Sequence, residues 1–137
     1  MTTNTVQAQP DREIVAGIDT HENSHHVAVL DSAGRFLGDK AFPATSAGFI
    51  ELLSWVGVFG MLVRVGVEGT SSYGAALTRY LLAENVDVIE VPPGDKAQRR
   101  RRGKTDAFDA EAAARRALAE TSPRIPKDTT SSVEPVK

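Results

Sequence analysis

At 137 residues the chain has room for one domain and a tail, and the absence of cysteine excludes disulfides and thiolate metal sites and fits a reducing cytoplasm. The formal net charge of −2 conceals an asymmetry. Residues 1–91 carry 5 basic and 11 acidic side chains, a balance of −6, whereas residues 92–137 carry 11 and 7, a balance of +4, so the basic end can engage a polyanion. The longest apolar stretch, Leu52 to Val63, is interrupted by Gly57 and Gly60 and falls short of the roughly 20 residues a bilayer span needs. The opening MTTNTVQAQPDRE also lacks the pattern of a signal peptide.

In chain order, residues 1–12 are polar and read as disordered. Ile14 to Ile18 is a continuous apolar run suited to a central strand buried on both faces. His25 to Asp31 reads as a second strand, Ala33-Gly34 as a turn, and Arg35 to Phe42 as a third strand, together an antiparallel meander. Ser46 reads as the cap of a helix whose face is Phe49, Leu52, Leu53 and Val56, ending near Trp55 or Val56. Leu62 to Val67 is a β-branched fourth strand. A helix capped by Ser71 or Ser72 then presents Tyr73, Ala76, Leu77, Tyr80 and Leu81, and Val86 to Val91 is a fifth strand, stopped by Pro92-Pro93-Gly94. A basic loop leads to an alanine-rich helix over Asp106 to Ala119, and residues 121–137 read as a Ser/Thr/Pro-rich linker. The order β-β-β-α-β-α-β-α predicts an α/β fold with a mixed sheet and helices on its faces.

Acidic residues stand out at particular places. Asp19 follows the first strand, Glu68 ends the fourth, and Asp106 and Asp109 lie three apart, on one face of the last helix. Taken singly, each has an ordinary explanation: a turn aspartate, a strand-end acid beside a helix N-terminus, acidic decoration of a first helical turn. Taken together they say more. If the first and fourth strands are neighbours, Asp19 and Glu68 emerge side by side, and the first turn of the last helix can lie across them. Mutually repelling carboxylates so placed need cations between them, and hard ions such as Mg²⁺ take oxygen ligands. Two such ions can clamp a phosphodiester for in-line displacement. The run Lys96, Arg99, Arg100, Arg101, Arg102 and Lys104 directly precedes the acidic pair; it is either a solvated loop or a phosphate-neutralising surface for nucleic acid. His25 and His26 point to opposite faces of a strand and read as structural or surface groups; His21 lies close enough to Asp19 to approach the site but is not assigned to it.

The segments GIDTHENSHHVAVLD, VGVEGTSSYGAAL and GKTDAFDAEAAARRAL resemble, in this order, the amino-terminal domain of the DEDD transposases of the insertion-sequence one-ten group, which includes the Piv-like DNA invertases. The resemblance covers about residues 13–120 and implies a RuvC-like, ribonuclease-H-like five-stranded mixed sheet in the order 3-2-1-4-5. It implies that Asp19, Glu68, Asp106 and Asp109 form a catalytic tetrad binding two Mg²⁺ ions, with Mn²⁺ as a substitute. It implies metal-dependent phosphodiester cleavage and strand transfer in transposition, DNA as partner, an element-encoded guide RNA in some members, a homo-oligomer of the full-length protein, and a bacterial cytoplasmic, nucleoid-associated setting. In this family a carboxy-terminal domain with a serine nucleophile follows, so a chain ending at Lys137 is expected to be the front part of a transposase, not competent alone. Two other functions compete: a non-catalytic nucleic-acid-binding or assembly module left from a truncated transposase, and a sugar-kinase or actin-like ATPase fragment. The latter needs a glycine-rich phosphate turn after the first-strand aspartate, and THENSHH contains no glycine.

Overall fold

The computed structural model describes residues 11–92, 106–119 and 125–126. Its elements are β1 (Glu13–Thr20), β2 (Ser24–Asp31), β3 (Phe36–Pro43), α1 (Ser46–Phe59), β4 (Met61–Glu68), α2 (Ala75–Ala83), β5 (Val88–Val91) and α3 (Asp106–Ala119). The five strands form one mixed sheet in the order β3-β2-β1-β4-β5. β1 pairs antiparallel with β2, β2 antiparallel with β3, and β1 parallel with β4, which pairs parallel with β5. This is the α/β mixed sheet that the element order predicts, in the 3-2-1-4-5 order that the family resemblance implies, with β1 in the middle of the sheet.

Strand alternation sorts the side chains into two layers. Ile14, Ala16, Ile18, Val27, Val29, Val65 and Val67 pack with Phe49, Leu52, Val56 and Phe59 of α1 and Leu77 and Leu81 of α2. On the opposite face Val15, Leu30, Ile89 and Val91 meet Ala113, Ala114 and Ala117 of α3. The helices therefore cover both faces.

The second layer is thin because the buried residues of α3, joined there by a partly buried Leu118, are all alanines: Ala110, Ala113, Ala114 and Ala117. Two glycines receive them. Gly17 and Gly66 are register partners on β1 and β4. A Cβ on Gly17 would stand 2.0 Å from the Ala114 nitrogen and 2.2 Å from the Ala110 carbonyl oxygen, and one on Gly66 would stand 2.5 Å from the Ala113 oxygen. The helix backbone thus rests on the sheet backbone, closer than any side-chain layer would permit.

The far end of α3 is tied down separately. The buried Arg64 guanidinium donates to the Ala117 carbonyl at 3.0 Å and pairs with Asp87 at 3.6 Å. Arg115 donates to the Gly34 carbonyl at 3.2 Å in the β2–β3 turn. Arg64→Met keeps the aliphatic stem and removes the charged donor, so a loss of about 2 kcal/mol is expected in chemical unfolding; an unchanged midpoint would show that the helix end is held by other means.

Several local readings need correction. The α1 cap is Thr45, not Ser46: its hydroxyl accepts from the Gly48 amide at 3.0 Å. The helix continues beyond Val56 to Phe59, whose burial against the core outweighs the cost of Gly57 in the helix. α2 begins at Ala75 without a side-chain cap, because Ser71 and Ser72 lie in the preceding turn. Tyr73 is therefore outside the helix and 59% exposed, and Ala76 is exposed too; the buried face is Leu77, Thr78 and Leu81. β5 starts at Val88 because Asn85, at φ 66°, turns the chain just before it. At the ends of the described segments, Arg12 Nε donates to the Phe59 carbonyl at 3.0 Å, and the Ile125 amide donates to the Val88 carbonyl at 2.7 Å while its side chain packs against the first layer. Among the described residues no helix is long and apolar enough to cross a membrane.

Candidate metal centre

The acids of β1 and β4 share a face by alternation. Val15 and Gly17 face α3, so Asp19 does as well; Arg64 and Gly66 face α3, so Glu68 does too. Ile18 pairs with Val67, which places Asp19 and Glu68 at neighbouring strand ends. Thr20 fixes this relation, its hydroxyl donating to the Glu68 carbonyl at 2.7 Å. α3 begins over the same end of the sheet, with Asp106 and Asp109 in its first turn.

The acids divide into two adjoining sets. Asp19, His21 and Asp106 each present a ligand atom, and these atoms lie within 4.8 Å of one another, the group of this kind among the described residues. Glu68 and Asp109 lie outside it and line an adjacent cavity of ≈ 320 Å³ with Val91, Pro92, Ala112, Ala113 and Arg116. Asp19 is 2% exposed, an unusual place for a carboxylate, whereas Asp106 is exposed. The donor set, carboxylate oxygens with one imidazole nitrogen, suits a divalent cation such as Mg²⁺ or Mn²⁺.

His21 enters the site more directly than sequence reasoning assigns. Its Nε2 stands 2.8 Å from Asp19 Oδ2 and 3.1 Å from Asp106 Oδ1. Burial works against its charged form, but the hydrogen bond and charge of Asp19, joined by those of Asp106, prevail and raise its pKa. The sequence signal was present, since His21 follows Asp19 by two residues in a short β1–β2 connection, but the direction of a turn side chain is not legible from spacing. Arg116 likewise has nothing in the sequence to set it apart from the basic run. It lies seven residues after Asp109, two helical turns along the same face, and so reaches the acidic cavity. Lys96, Arg99, Arg100, Arg101, Arg102 and Lys104 lie outside the described residues.

The remaining histidines take the opposite faces that strand geometry requires. His26 faces away from α1 and bonds the Asp39 carboxylate. His25 is 1% exposed, stacks on Phe49, and accepts the His21 amide at Nδ1 over 3.3 Å, with no partner for Nε2. Burial lowers its pKa from the ordinary 6.5. Below that value the unfolded chain binds the proton that folded His25 refuses, so this group's stabilisation is complete above about pH 6.5 and drains away as pH falls toward the depressed folded value. Thermal melts at pH 7.5 and 5 are expected to show a smaller acid loss for His25→Leu than for the native chain; equal losses would exclude His25 as a source.

The model of the family DEDD_Tnp_IS110, described as "Transposase", matches residues 16–134. No individual curated protein matches the chain. The matched span takes in the second half of β1 with Asp19, β4 with its terminal glutamate and all of α3, and the chain belongs to the IS110 DEDD transposase family.

Proposed function

We propose that this chain is the amino-terminal catalytic domain of a DNA transposase, and that Asp19, Glu68, Asp106 and Asp109 hold the divalent metal ions for phosphodiester cleavage and strand transfer. What carries the reading is the convergence on one face of the sheet of acids from two strand ends and one helical turn, with Asp19 almost wholly buried among them. An isolated buried carboxylate is costly, and a cation is the partner that compensates several at once. Bound there, a pair of Mg²⁺ ions supplies polarisation of the scissile phosphate and a lowered pKa for the attacking water or hydroxyl, with Mn²⁺ able to substitute.

The chain's own residues supply position and charge. Asp19 sits at the centre, on the innermost strand, where it can serve both ions. Glu68 and Asp109 face the cavity in which a phosphodiester backbone can lie, and Arg116 offers that backbone a planar cationic donor. The basic run Lys96 to Lys104 adds affinity for phosphate on this reading, without reading sequence. Residues 13–120 form the catalytic unit on this reading, and 121–137 lead to a domain bearing the serine nucleophile. Homo-oligomerisation of the full-length protein, a guide RNA and a nucleoid setting belong to the same proposal.

Calorimetric titration with Mg²⁺ tests it: saturable binding is expected, weakened in Glu68→Gln and in Asp109→Asn. Absence of binding at millimolar ion would overturn the metal reading. Salt-dependent DNA binding that survives loss of all four acids, in a chain that takes up no ion, would instead favour the non-catalytic module.

A further inference from the structure

Building on the proposed metal centre, we infer that His21 is a nitrogen ligand of the cation held by Asp19 and Asp106, and that it biases this position toward Mn²⁺ over Mg²⁺. One atom, Nε2, faces both carboxylates, at 2.8 Å from Asp19 Oδ2 and 3.1 Å from Asp106 Oδ1. Neighbouring ligands of a six-coordinate ion with bonds of about 2.1 Å stand about 3 Å apart. The separations already present are therefore those of adjacent ligands, and an ion can take the proton's place on Nε2 with little movement of the three groups.

The ring is carried by a connection anchored in the core. The His21 amide donates to the Ser24 carbonyl at 3.0 Å and also approaches His25 Nδ1 at 3.3 Å. His25 is itself buried and stacked on Phe49. On the sheet side Thr20, the adjacent residue, is bonded to the Glu68 carbonyl. His21 thus leaves a backbone held from both sides, with its ring directed at the acids.

The chemical consequence concerns which ion is preferred. A purely carboxylate site suits Mg²⁺ and Mn²⁺ alike, whereas an imidazole nitrogen adds affinity for a transition ion and little for Mg²⁺. The centre then holds two unlike positions: an oxygen-and-nitrogen position at Asp19, His21 and Asp106, and an all-oxygen position toward Glu68 and Asp109.

Pulsed electron paramagnetic resonance on the chain loaded with Mn²⁺ reads this without reference to activity. A ¹⁴N hyperfine coupling is expected in the native chain and is expected to vanish in His21→Ala and His21→Gln, the latter retaining size and polarity if alanine disturbs the turn. The same substitutions are expected to weaken Mn²⁺ binding about tenfold or more while changing Mg²⁺ binding less. Mn²⁺ bound with no nitrogen coupling, or a coupling that persists in both variants, would overturn the assignment; His21 would then only neutralise its two acids. Those results leave the carboxylate site intact, whereas failure of Mn²⁺ to bind the native chain, or binding indifferent to Asp19→Asn, would remove the metal centre itself.

Discussion

Gly17→Ala is expected to lower the melting temperature by about 10 °C, although it adds a single methyl group and replaces none of the proposed ligands. The methyl carbon would fall 2.0 Å from the Ala114 nitrogen, 2.2 Å from the Ala110 oxygen and 2.6 Å from the Ala113 carbonyl carbon. All of these are backbone atoms of α3, and no side chain can rotate away to make room. The helix must lift from β1, and since the residues that rest on Gly17 are Ala110, Ala113 and Ala114, no longer side chain stands there to refill the gap. Overpacking of this kind costs about 3 kcal/mol where backbone must move. Because Arg64 and Arg115 tether the second half of α3 to β4 and the β2–β3 turn, the displacement falls mainly on the first half, which carries Asp106 and Asp109. Ion binding is therefore expected to weaken in parallel with stability. Gly57→Ala is the control. A Cβ there meets nothing within 4 Å, and alanine is the better helix former, so its melting temperature should rise by a few degrees. Equal effects at the two glycines would show that the contact between helix and sheet is not what fixes α3.

The same contact shows where sequence reasoning reaches its limit. The strand at Ile14–Ile18, the meander after it and the alanine-rich helix are legible because each rests on a local signal: a continuous apolar run, turn residues between strands, and helix-favouring composition. Gly17 and Gly66 were not legible as a pair, because each sits inside an apolar run and their partnership arises only when β1 and β4 come into register. The end of α1 is hidden from the sequence for a related reason. Gly57 looks like a break in sequence, yet Phe59 two residues later gains enough by packing against Trp55 and the core to carry the helix past it. Of the site, the placement of the acids at strand ends and in the first turn of α3 followed from patterning, and their common face followed once β1 and β4 were taken as neighbours. What patterning could not supply was the division of those acids into an Asp19–Asp106 set and a Glu68–Asp109 set, or the ring of His21 between the first two. Both depend on how turn side chains and the first helical turn are directed, and neither is encoded in residue spacing.

Asp19→Asn is expected to abolish ion binding while leaving the unliganded fold nearly as stable as before. The two effects separate because they have different origins. Asparagine preserves the shape of the side chain and one carbonyl oxygen facing His21, so packing at the end of β1 persists; the contact to His21 weakens, but a buried negative charge is no longer required at a position only 2% exposed. The carboxylate charge, by contrast, is what a divalent cation needs from the innermost ligand. Binding to the folded state alone raises stability by RT times the logarithm of one plus the ratio of free ion to dissociation constant, about 2.7 kcal/mol at a hundredfold excess. Melts with and without Mg²⁺ or Mn²⁺ therefore give the readout: a shift to higher temperature in the native chain, no shift in Asp19→Asn, and similar midpoints for the two in chelator. A variant that melts far below the native chain in chelator would make Asp19 a structural residue first. A variant still stabilised by the ion would take Asp19 out of the centre and leave the remaining acids without the buried charge around which they are gathered.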